Sequence, residues 1–153
     1  MKGSLVALAS VGSIYSTIVI GSIVTALEAG LACGTDWPTC NEQVIPSDLL
    51  VSAEVFFEYV HRVVAALSGL LVLATLIVSL RNDAYSGPRR WAILTFIALM
   101  IQILLGREVV ARMLNPYLVA AHLSLAVTVL LLATITAYSM YKADKLVQPQ
   151  KTH

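Results

Sequence analysis

Charge is what this chain has least of. Asp, Glu, Lys and Arg make up 12% of its 153 residues, about half the share carried by a soluble domain. With 58% hydrophobic residues and a mean hydropathy of +0.82, that shortage excludes a soluble globular domain and predicts an integral membrane protein. The length leaves room for one compact unit. The few charges nearly cancel, to a net +1, which excludes a nucleic-acid partner. Cysteine is scarcer still: only Cys33 and Cys40 occur, and their spacing is not the C-x-x-C of a thioredoxin-like motif. There is no low-complexity segment. Internal repetition goes no further than a histidine placed similarly in each half.

What is present is four apolar runs. They predict an all-α, integral membrane four-helix bundle, with spans at about 5–27, 52–80, 91–106 and 117–141. Residues 1–145 then form a single transmembrane domain, and 146–153 a disordered cytoplasmic tail. The first run, Leu5 to Leu27, carries no charge. It exceeds the roughly 7–15 residues of a signal-peptide core, so an uncleaved helix is expected. Ser13, Thr17, Gly21 and Thr25 recur along it every fourth residue, a stripe that admits either another helix or a flat ligand. Arg81, Arg89 and Arg90 in one loop, with Lys142, Lys145 and Lys2, place both termini in the cytoplasm. That N-in/C-in reading puts the 28–51 and 107–117 loops outside, in the cell membrane of a prokaryote.

The second span opens on Glu58, His61 and Arg62. Glu58 and His61 share a helical face, continued by the small residues Ala65 and Gly69. Ionisable groups at the edge of a hydrocarbon span are costly and point to function. A second histidine, His122, lies in the fourth span. Each histidine stands 19 residues before the last apolar residue of its span, Leu80 or Tyr141. Helices two and four run the same way, so both imidazoles fall in one layer, about 28 Å from the cytoplasmic boundary. Two histidines at one depth on separate helices can take the two faces of a heme iron. No third or fourth ligand accompanies them, which weighs against zinc. The competing reading is a hydrogen bond across the bundle. Arg62 and Arg107 reach the same layer, either to pair with heme propionates or to snorkel to the headgroups.

The external interval Cys33 to Cys40 encloses six residues that include Gly34 and Pro38. A disulfide is expected there, either as a structural lid or as a redox-active pair. Trp37 is either an interface anchor or a cover on the porphyrin. Glu58 could act as a base, move protons or stabilise a developing cation; otherwise it pairs with Arg62 or Arg107.

These pieces together resemble the heme A synthase family: Gly30-Leu31-Ala32-Cys33, Asp36-Trp37-Pro38-Thr39-Cys40, Glu58-Tyr59-Val60-His61-Arg62, Gln102-Ile103-Leu104-Leu105-Gly106, Leu114-Asn115-Pro116 and His122-Leu123. The resemblance implies an oxidoreductase that converts the methyl group of heme O to the formyl group of heme A through heme I, for terminal oxidase assembly. By motif, His61 and His122 would be axial ligands of a heme b iron, Glu58 the catalytic carboxylate, and Cys33 with Cys40 the external disulfide. The implied partners are the heme O substrate, the bilayer, a heme O synthase and an electron acceptor. Family members typically carry two such four-helix units. This chain is half that length with one histidine pair, so a complete enzyme would need at least two copies, a homo-oligomer. The alternative class is a non-enzymatic b-type cytochrome, which needs both histidines and has no use for Glu58.

Overall fold

The computed structural model describes residues 3–36 and 38–147. Trp37, Lys2 and residues 148–153 of the expected tail lie outside the described residues. Four helices follow one another: α1 (Gly3–Ala26), α2 (Ala53–Arg81), α3 (Arg89–Ala111) and α4 (Pro116–Val147), with a single 3-10 turn at Asp83–Tyr85. All four are long and apolar enough to cross a membrane. The all-α membrane bundle is thus what the chain forms.

Local chemistry sets the helix ends. Ser52 caps α2 by accepting the Val55 N–H at 3.2 Å. Pro88 precedes α3, where its fixed φ suits a helix start. Helix α3 runs five residues past the expected stop at 106, because Glu108 and Arg112 bond one turn apart at 3.0 Å and sustain the last turn. Helix α4 takes in Leu146 and Val147, placed with the tail above.

The helices form two hairpins. Helix α1 packs on α2 and α4, and α3 packs on α4 and α2. Ile14, Val72, Leu99, Val129 and Ala133 make the central core. At the end away from the disulfide loop, the Tyr85 hydroxyl accepts the Gly3 N–H at 3.0 Å and donates to Asp144. The other oxygen of Asp144 accepts the Ser4 N–H at 3.2 Å, so a carboxylate of α4 meets the positive end of α1.

The hairpins repeat one another in register. Residues of α1 find their counterparts 85 positions on in α3: Ala7 and Ala92, Ser10 and Thr95, Ile14 and Leu99, Gly21 and Gly106. Those of α2 recur 61 positions on in α4: His61 and His122, Ser68 and Val129, Val72 and Ala133, Thr75 and Thr136. One small cavity is lined by four such pairs. Its hydroxyls bond within each hairpin, Ser10 to Thr75 at 2.9 Å and Thr95 to Thr136 at 3.1 Å. Helices α1 and α3 also end alike. Ala29 N–H returns to the Val24 carbonyl and Leu114 N–H to that of Val109, both at 2.9 Å, with Glu28 (φ 54°) and Met113 (φ 52°) in the left-handed position.

Candidate functional site

At the opposite end, residues 27–52 fold back over the start of α2. Cys33 and Cys40 are joined by a disulfide and fully buried with Val55. Glu58, only 3% exposed, lies beneath them. One of its oxygens accepts the Cys33 N–H at 2.7 Å and the other accepts from Arg62 Nη2 at 2.6 Å. Arg62 Nη1 donates to the carbonyls of Asp36, at 2.6 Å, and Thr39. A carboxylate and a guanidinium one turn apart on α2 therefore hold the loop by its main chain at three places. A buried carboxylate is tolerable only with such an ionic partner and further hydrogen bonds. Arg62 thus serves Glu58 through Nη2, the pairing the sequence offered for that carboxylate, and the carbonyls of the folded-back loop through Nη1. Arg107 stands apart on α3, exposed, with Glu108 at 4.0 Å.

Each histidine rests on a glycine of its hairpin partner. A Cβ on Gly21 would come within 2.8 Å of the His61 ring, and one on Gly106 within 2.9 Å of the His122 ring. His61 Nδ1 lies 3.1 Å from the Thr17 carbonyl. A carbonyl only accepts, so the ring proton is on Nδ1 and the Nε2 lone pair is free, the form that a metal ion takes up. His122 Nε2 lies 3.1 Å from the amide nitrogen of Gln102. Near the mouth of the bundle, Gly30 lets Leu114 seat against the loop, where a Cβ would meet it at 3.0 Å.

The sequence named Glu58, His61, His122 and the cysteines, and missed Thr17, Gly21, Gln102 and Gly106 as their supports. The signal was present in the first stripe. Ser13 and Thr17 bond Ser68 at 2.8 and 3.0 Å, while Thr17 and Gly21 receive His61. The stripe is used within the subunit.

By fold and site, this is a multi-pass membrane protein with a buried carboxylate and a pair of imidazoles at one end of a four-helix bundle. The COX15-CtaA family of cytochrome oxidase assembly proteins matches residues 4–153, and the chain belongs to it. Similar proteins include the heme A synthases of an Exiguobacterium species, 31% identical over 84% of this chain and 42% of that protein, and of Geobacillus thermodenitrificans, 28% identical over 97% and 47%. The heme A synthase of Exiguobacterium sibiricum is 32% identical over 71% of this chain and 36% of its own. The chain thus spans about half the length of the curated relatives it matches. No solved structure matches it.

Proposed function

We propose that this chain is a heme A synthase unit that oxidises the methyl group of heme O to the formyl group of heme A, through heme I, in a prokaryotic plasma membrane for terminal oxidase assembly. The observation that carries this reading is Glu58, a carboxylate shut away from solvent one turn from an imidazole whose Nε2 is free. The names of the relatives support it.

The residues fit a heme. Two imidazoles come from two helices, each beside a glycine that leaves its ring room. His61 and His122 would hold the iron of heme b, which when bound supplies one-electron transfer between ferric and ferrous states. Glu58 would take up protons, or hold a negative charge, at the edge where the substrate methyl is oxidised. Arg62 pairs with that carboxylate and ties the Cys33–Cys40 loop over it, which shields it from water. Arg107, exposed on α3, would meet a propionate. Cofactor heme and substrate heme O then occupy like sites in at least two copies of the chain. A heme O synthase would deliver the substrate and an acceptor would remove the electrons.

Co-expression with a heme O source, followed by pigment extraction, tests this. Heme I and heme A are expected from the native sequence, and unconverted heme O from Glu58→Gln. A folded, heme-loaded protein that yields neither product would sink the reading. One observation favours the second reading, a bis-histidine b-type electron carrier: both Glu58 oxygens are committed to holding the loop. For such a carrier, Glu58→Gln leaves electron transfer intact.

A further inference from the structure

Thr17 and Gln102 occupy the same place in the two hairpins, each four residues before the glycine that receives a histidine. They treat the two rings in opposite ways. The Thr17 carbonyl fixes the proton of His61 on Nδ1 and leaves Nε2 open. The Gln102 nitrogen lies 3.1 Å from both the His122 carbonyl and the His122 Nε2. A carbonyl needs a donor, so that atom is the amide NH2, and its second hydrogen meets the ring nitrogen. His122 Nε2 therefore spends its lone pair on Gln102, and its ring proton sits on Nδ1. Both remaining polar atoms, His122 Nδ1 and Gln102 Oε1, are buried without a hydrogen-bond partner, the only such side-chain atoms among the described residues. Unpaired buried polar atoms are costly, and native structures seldom keep them without a reason.

We propose that Gln102 occupies the iron-binding nitrogen of His122 until a heme arrives, so that iron is taken by His61 first and by His122 only after the amide swings away. His122 is then the exchangeable ligand and His61 the permanent one. Gln102 is a positioning residue, acting on the heme through His122. The inference rests on the heme reading above and deepens it. It gives the two ligands an order and a reason for it: His61 already carries the tautomer that binds metal with its nitrogen unobstructed, whereas His122 must first break a hydrogen bond.

The test is a rapid-mixing titration of the full chain, stripped of heme in detergent, with ferric heme b, followed by absorbance and electron paramagnetic resonance. Two phases are expected: uptake as a high-spin species, then a slower conversion to the six-coordinate low-spin form. Gln102→Leu removes the amide and should speed the second phase about five- to tenfold, the equivalent of one hydrogen bond, with the first unchanged. His122→Ala should retain heme in the high-spin form, and His61→Ala should lose most of it. An unchanged second phase in Gln102→Leu, or equal heme retention in the two histidine variants, overturns the proposal. Gln102→Thr, which copies the first hairpin, should act in the same direction and keeps the test standing if the leucine substitution prevents folding. Failure of the native chain to bind heme at all overturns the heme reading and this inference together. Binding with the order reversed overturns this inference alone.

Discussion

The two hairpins share a backbone plan and differ in what they carry. Both offer a histidine on a glycine, a hydroxyl pair deeper in the bundle and a left-handed residue closing the odd helix. Only the first has a carboxylate one turn before its histidine, whose counterpart in the second is Val119, and only the first has a long connection, residues 27–52 against 112–115. The repeated features are those that pack the two helices of each hairpin together. The unrepeated ones, Glu58, Arg62 and the disulfide loop, all gather at the start of α2. A near-symmetric scaffold thus carries its buried ion pair and its disulfide-closed loop on one hairpin only.

Breaking the asymmetry should have the largest effect. Glu58→Val, which gives the first hairpin the residue of the second, removes the ionic partner of the largely buried Arg62 and should cost about 3–5 kcal/mol. Thermal unfolding in detergent measures the loss, and faster alkylation of Cys33 and Cys40 under mild reductant would show the loop released. The reverse change, Val119→Glu, should not create a second buried ion pair, since Leu123 stands where Arg62 would be needed. The glycines test the shared part. Gly21→Ala and Gly106→Ala should each displace a ring and cost about 1–3 kcal/mol, with similar losses of heme occupancy by absorbance. A large inequality between them would break the equivalence of the hairpins.

Two smaller effects sharpen it. Glu28→Gly and Met113→Gly relieve a side chain in the left-handed region and should each stabilise the fold by about 1 kcal/mol in the same unfolding assay. Removing one hydroxyl, Thr75→Ala or Thr136→Ala, should cost about 0.6 kcal/mol in either hairpin. Double-mutant cycles with Ser10→Ala and Thr95→Ala measure the coupling.

Much of this was legible before the structure. Apolar run length gave the four spans, and the spacing of His61 and His122 from the basic loops pointed to a common depth. The repeat was not legible, for two physical reasons. Counterparts need only similar volume at a buried position, so Ile14 answers to Leu99 and Ser68 to Val129 without identity. The long first connection also makes the offset 85 positions for one helix pair and 61 for the other, which hides any single period. Gln102 was quoted only as part of a motif. Its contact with His122 depends on helix rotation, which an apolar pattern does not specify. The Arg62–Glu58 pairing was legible from their spacing on one helix, whereas the carbonyls of Asp36 and Thr39 come from a loop whose fold-back that spacing does not specify.

The tie of Tyr85 and Asp144 to the first turn of α1 has a topological consequence. Burial and the bond to Asp144 hold the Tyr85 phenol above its ordinary range, so the knot persists through neutral pH and loosens only as alkali rises past that raised value. With the start of α1 fastened beside the last turn of α4, the backbone is close to a closed ring. A gene rearranged to begin at α3, run through α4, cross a short linker and finish with α1 and α2 should rebuild the same bundle, the two hairpins having simply traded places in the order of synthesis.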